Sequence, residues 1–131
     1  MRLKTLAFAL AACCATALPA QAEMESAFGN TVVSHYPDGS WVKHLFDRDG
    51  SYRAVFSDGR RLTARWAVEG ERVWLNGIRP RMLLSRFCTT LVEASVGQTW
   101  PGRDPLGRRV RNELVAGRYP SPGSLSDPGG P

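Results

Sequence analysis

YPDGSWVKHLFDRDGSYRAVFSDGRRLTARWAVEGERVWLNG, residues Tyr36–Gly77, is the stretch from which the fold can be read. Turn residues punctuate it at Pro37-Asp38-Gly39, Asp49-Gly50, Asp58-Gly59, Glu69-Gly70 and Asn76-Gly77, each about one short strand from the next. Asp-Gly or Asn-Gly between alternating apolar runs signals a hairpin, because glycine accepts at little cost the positive φ that tight β turns require. The spacing predicts an up-and-down meander of short antiparallel strands.

Register follows from the apolar pattern, since a one-residue slip moves every side chain of a strand to the other face. A two-residue loop at Asp49-Gly50 sets Leu45 opposite Ala54. The same loop at Asp38-Gly39 sets His35 opposite Val42, and at Glu69-Gly70 it sets Trp66 opposite Val73 and Ala64 opposite Leu75. At Asp58-Gly59 a two-residue loop would place Phe56 against Arg61. A three-residue loop, Ser57-Asp58-Gly59, instead pairs Ala54 with Leu62 and Tyr52 with Ala64. The expected core face is Trp41, Leu45, Tyr52, Ala54, Phe56, Leu62, Ala64, Trp66, Val73 and Leu75. The opposite face carries Val42, His44, Phe46, Arg53, Val55, Arg61, Thr63, Arg65, Arg72 and Trp74, the mixed, basic pattern of a sheet with one wet side.

Working outward, Thr31–Tyr36 opens the sheet. Ser85–Val92, Val96–Trp100 and Arg108–Val115 continue it, the last following the turn-like Asp104-Pro105-Leu106-Gly107. Ile78-Arg79-Pro80-Arg81-Met82 reads as a connector, since proline cannot donate to a ladder. No helix-period segment stands out beyond the N-terminus. The fold class expected is all-β: an antiparallel meander of about seven or eight short strands, as a curved sheet or small barrel.

The two ends differ in composition from this middle. Arg2 and Lys4 precede an apolar run to Leu18, and Pro19-Ala20-Gln21-Ala22 follows, which describes a secretory signal cut after Ala22 with Ala20-Gln21-Ala22 extended for the peptidase. Leu10-Ala11-Ala12-Cys13 is similar to a lipoprotein lipobox and offers an alternative, anchorage of the chain through Cys13. The longer apolar run and the Ala-x-Ala exit favour the cut after Ala22, and the run is too short to span a bilayer, which takes roughly 20 apolar residues. Residues 117–131 are rich in Pro, Gly and Ser, with little apolar surface to offset ordering entropy. The organisation expected is therefore a signal peptide over 1–22, a β domain over 23–116, and a disordered tail over 117–131.

The formal charge is +5; taking Arg2 and Lys4 from the 17 basic side chains leaves 15 against 12 acidic ones, a net +3. That balance is mild and does not indicate a nucleic-acid binder. Of three cysteines only Cys88 survives a cut after Ala22, and the expectation for it is a buried, inert thiol.

Chemical motifs are sparse. The expected register keeps His35 and His44 from facing each other, and the four ligands of a structural zinc site are not at hand. No Gly-x-Ser-x-Gly elbow occurs, no glycine loop leads into a helix to cradle phosphate, and the carboxylates Asp38, Asp47, Asp49, Asp58, Glu69 and Glu71 sit where turn chemistry explains them. No catalytic residue, metal or cofactor is expected. The constellation that invites a function is the basic face: Arg53, Arg61, Arg65, Arg72 and Trp74, with Arg65 opposite Trp74 for a cation–π contact. A second cluster, Arg103, Arg108, Arg109 and Arg111, reads as a charged edge strand protected against edge-to-edge pairing.

Gly29-Asn30-Thr31, Tyr36-Pro37-Asp38-Gly39, Asp49-Gly50-Ser51-Tyr52 and Trp66-Ala67-Val68-Glu69-Gly70-Glu71-Arg72-Val73, with Phe87-Cys88-Thr89 and Val96-Gly97-Gln98-Thr99-Trp100, resemble an uncharacterised family of small secreted alphaproteobacterial β proteins. The cover runs from Phe28 to Gly117, and the hairpin around Trp66 is similar to lipocalin-like meanders. The resemblance implies a fold and no site. It also implies a second cysteine in the strand after the Trp66 hairpin, which Val73-Trp74-Leu75 does not supply. The functional expectation is an exported, non-enzymatic β module of the bacterial envelope, periplasmic or secreted. It would bind an anionic partner or a small ligand, with no nucleic acid, and with membrane attachment only through a lipidated Cys13. The alternatives are an enzyme without a recognisable motif and a lipoprotein with a structural role.

Overall fold

A computed structural model of the chain describes residues 19–81 and 84–118. The segment expected to be a signal, up to Leu18 with Cys13 and Cys14, and the expected tail from Tyr119 lie outside the described residues. Strands β1 (Thr31–His35), β2 (Trp41–Phe46), β3 (Ser51–Phe56), β4 (Arg61–Glu69), β5 (Arg72–Arg79), β6 (Arg86–Thr90), β7 (Thr99–Arg103) and β8 (Arg109–Val115) follow a short helix α1 (Pro19–Met24) and a 3-10 turn, Glu25–Ala27. All strand pairs are antiparallel, in the order β6-β5-β4-β3-β2-β1-β8-β7. This is the cyclic order of an up-and-down barrel with one seam, between β6 and β7, left without a ladder.

One turn geometry recurs at four places. In Tyr36–Ser40, Asp47–Ser51, Phe56–Arg60 and Asp104–Arg108 the first residue's N–H donates to the last residue's carbonyl, and the glycine before the last residue donates back to the first. Each is a three-residue loop closed by a glycine at positive φ, 82–93°. In the first three, the aspartate before the glycine accepts from the backbone N–H two residues on, at 2.8–3.0 Å. Pro37 fits this geometry, because its fixed φ suits the first corner of a type I turn.

The loop length corrects the expected register of β2. Two-residue loops at Asp38-Gly39 and Asp49-Gly50 would place Leu45 against Ala54; the ladder instead pairs Leu45 with Arg53, His44 with Ala54, and His35 with Trp41. The one-residue shift turns β2 over. Val42, His44 and Phe46 face the interior, while Trp41, Lys43 and Leu45 face outward. The β3–β4 pairing of Tyr52 with Ala64 and Ala54 with Leu62 is as expected. Between β4 and β5 the turn is Gly70-Glu71, so Trp66 meets Leu75 and Val68 meets Val73. That shift is two residues and leaves each face unchanged. Asn76-Gly77 is no turn: it lies inside β5, where the register shifts against β4, and Ile78-Arg79 continues the strand.

The interior is packed around Tyr52, Ala54, Ala64, Trp66, Val42, Val73 and Ile78. Its end near Trp66 is capped by the N-terminal segment, helical at residues 20–22 where an extended stretch was expected. Met24 is buried in the core, the Phe28 ring lies 5.6 Å from that of Trp66, and Arg48 pairs with Glu25 across the junction. Outside, Leu45 is fully buried although it faces away from the core. The chain leaving β8 returns across this end: the Gly117 carbonyl accepts from Thr31 Oγ1, and Arg118 pairs with Asp47.

Candidate functional site

β5 and β6 place a cluster of polar side chains on the outer face. Their ladder sets Asn76 beside Arg86, Trp74 beside Cys88 and Arg72 beside Thr90, and strand alternation directs these residues outward with Arg65 of β4 next to Asn76. The Arg86 guanidinium lies 3.9 Å from the centroid of the Trp74 ring, and its Nε donates to Asn76 Oδ1 at 3.0 Å. Stacking and one hydrogen bond thus hold the guanidinium plane, while both Nη groups are left without a partner among the described residues. Arg72 Nη1 contacts Cys88 Sγ at 3.6 Å. Arg72 and Arg86 are exposed; Trp74, Asn76 and Cys88 are half-buried.

The five residues singled out from sequence all fall on this outer face, but not as one patch. Arg61 and the Glu69–Arg72 pair sit at opposite ends of β4, roughly 26 Å apart at strand rise. Arg53 is half-buried and close enough to Asp47 to help hold that carboxyl down. Arg65 does not stack on Trp74, which sits opposite Ala67. Arg65 leans over the β2–β3 turn and donates to the Asp49 carbonyl at 2.6 Å. Arg72 and Trp74 do come together, and the residue that joins them is Arg86. The second basic cluster is also divided. Arg109 and Arg111 belong to β8, an inner strand of the sheet, and Arg108 pairs with Asp104 over the Tyr36 ring. Only Arg103 stands on an edge strand.

His44, expected outside, joins Tyr52, expected inside, and Ser34 and Asn112, which the sequence did not single out, in a polar chain within the barrel. Ser34 Oγ donates to Asn112 Oδ1 at 2.6 Å and lies 2.9 Å from His44 Nε2; His44 Nδ1 lies 2.7 Å from the Tyr52 hydroxyl. Ser34 has one proton and gives it to Asn112, so Nε2 of a neutral His44 must donate to Ser34, and Nδ1 must accept from Tyr52. Every member is then satisfied. Burial pushes the His44 imidazole down to about 4 and the Tyr52 phenol up. In this arrangement Ser34 has no base to take its proton, so a Ser-His pairing at hydrogen-bond distance acts as packing rather than as an activated nucleophile. Gly102 makes room for it: a Cβ there would come within 2.6 Å of Asn112 Nδ2.

Among the described residues no group of three or more His, Cys, Asp or Glu side chains could hold a metal ion. His35 is outside, 3.1 Å from Glu113, with the barrel wall between it and His44. No protein-family model matches the chain, and no curated protein or solved structure is significantly similar to it.

Proposed function

We propose that this chain is an exported, non-enzymatic β module that binds an anionic component of the bacterial envelope through the outer face of β5 and β6. The observation that carries this reading is the Arg86 guanidinium, stacked on Trp74 and tied to Asn76, with its two Nη groups without a partner among the described residues. A guanidinium whose plane is already fixed loses less freedom on meeting an oxyanion and presents the forked donors that match phosphate or carboxylate. Arg72 adds a second exposed cation beside it. Phosphate-bearing lipid headgroups fit this chemistry best.

Export is part of the proposal. It rests on the charged start, apolar run and Ala-x-Ala exit before Glu23. A cut after Ala22 retains Met24 and Phe28, the residues that cap the barrel. The mass of the mature product tests it: a chain beginning at Glu23 supports export by a cut after Ala22, an acylated chain beginning at Cys13 overturns that cut and makes the protein a lipoprotein, and a chain that keeps its N-terminus in the cytoplasm overturns export itself.

The binding test is sedimentation with phosphatidylglycerol vesicles, with phosphatidylcholine vesicles as control. Binding should favour the anionic vesicles, weaken as salt rises because exposed charges are screened, and disappear in Arg72→Glu/Arg86→Glu while the circular dichroism spectrum is unchanged. Equal binding by a folded double variant would refute the site.

A further inference from the structure

The unpaired seam has two unlike sides. In the β5–β6 ladder, Leu91 N–H donates to the Glu71 carbonyl, and alternation then directs the backbone groups of Thr89 and Phe87 toward β5. The N–H and C=O groups of Arg86, Cys88 and Thr90 are directed to the open side. In the β7–β8 ladder, Leu114 donates to Gln98 and Asp104 to Arg108, so Thr99, Pro101 and Arg103 direct their groups into the seam. Pro101 has no N–H. The middle of β7 therefore lacks the donor that a ladder with β6 needs, as expected of a proline confined to an edge strand. The barrel stays open at this position. Thr89, which points to the interior side opposite Val73, is exposed there.

The β6 edge has no such block. Natural edges are protected by proline, bulges, covering elements, short length or charge. Among the described residues β6 has no proline, bulge or cover, and its one charge, Arg86, is drawn back over Trp74 and Asn76 of β5. Though short, Arg86–Thr90 has a complete set of outward donors and acceptors. We propose that this edge pairs with β6 of a second copy of the chain, antiparallel about a two-fold axis at Cys88. A second copy is the occupant because the strand is complementary to itself in that register. Arg86 faces Thr90 of the second copy and Thr90 faces its Arg86, so no like charges meet. Phe87 lies beside Thr89 of the second copy and extends its ring over the exposed inner side of the seam. Cys88 faces Cys88 of the second copy in a hydrogen-bonded pair whose Cα separation, about 5.5 Å, lies within the disulfide range. Oxidised glutathione can then trap the pair: the two thiols lose two protons and two electrons, one S–S bond forms, and the oxidant leaves as two reduced glutathiones. This pairing is independent of anion binding.

The test is sedimentation of the full chain carrying Cys13→Ser/Cys14→Ser, so that Cys88 is its one thiol, with non-reducing electrophoresis after treatment with oxidised glutathione. The expected result is a doubled mass and a covalent dimer lost in Cys88→Ser. Thr90→Pro removes an N–H that β5 does not use and places on β6 the block that β7 already has. This variant should keep its circular dichroism spectrum and lose both the doubled mass and the cross-link. With Cys13→Ser/Cys14→Ser/Cys88→Ser as background, Arg86→Cys alone should not cross-link, because position 86 would face Thr90, whereas Arg86→Cys with Thr90→Cys should. A monomeric wild-type chain, a folded Thr90→Pro variant that still dimerises, or cross-linking through position 86 alone would each overturn the proposal.

Discussion

Lowering the pH should destabilise this barrel well before its carboxylates titrate, and His44 is the reason. In the unfolded chain the imidazole takes a proton near its ordinary value of 6.5; in the folded chain burial holds it to about 4. Between those values the unfolded state binds more protons, so stability falls as the pH falls. One pKa unit corresponds to about 1.4 kcal/mol. The full loss, complete below pH 4, is therefore about 3 kcal/mol, of which about 2 kcal/mol is lost between pH 7 and pH 5. Asp47 and Asp104 have lowered pKa values and contribute in the other window: the stability they supply is lost only as the pH falls below about 4. Small domains have only a few kcal/mol in hand, so the effect is large. Urea unfolding followed by tryptophan fluorescence at pH 7 and pH 5 measures it, with His44→Gln as control. Equal stability at the two pH values, or an equal loss in His44→Gln, would refute the assignment of a neutral, buried His44.

Two further substitutions test the packing. Gly102→Ala should displace the Asn112 amide, whose Nδ2 an added Cβ would approach to 2.6 Å, and should cost about 1–3 kcal/mol by leaving a buried polar group unpaired; the urea midpoint reads it. Leu45→Ala should cost about 2–5 kcal/mol although Leu45 lies on the outer face, because it is fully buried there; a loss under about 0.5 kcal/mol, usual for exposed sites, would contradict that burial.

The meander, the strand count and the β3–β4 register were legible because apolar residues alternate cleanly in Tyr52-Arg53-Ala54 and Leu62-Thr63-Ala64. β2 was not. Val42, Leu45 and Phe46 are apolar on both faces, so the pattern alone allowed either register, and the decision fell to loop length. Pro37 before Asp38-Gly39 carried the signal, because a proline at the first corner argues for the longer loop. A correct reading there would have moved His44 inside and brought Ser34 within reach of it. The slip at Glu69-Gly70 did no such damage to the faces, being two residues, but it paired Trp74 with the wrong arginine. Arg86 was missed because Ser85-Arg86-Phe87-Cys88-Thr89-Thr90 holds one large apolar residue, too few to fix a register. The five residues chosen from the basic face share the outer side of the sheet but disperse, because Arg61 and the Glu69–Arg72 pair stand at opposite ends of β4, Arg53 lies on β3 near Asp47, and Arg65 turns to the Asp49 carbonyl.

The most direct test of the binding face is nuclear magnetic resonance of the labelled chain during titration with dihexanoyl phosphatidylglycerol below its micelle concentration. The account predicts shifts centred on the Arg72 and Arg86 guanidinium signals, the Trp74 indole and the Asn76 amide, all reversed by salt. Shifts centred on Arg108 and Tyr36 at the far turn, or none at the β5–β6 face at saturating lipid, would contradict it.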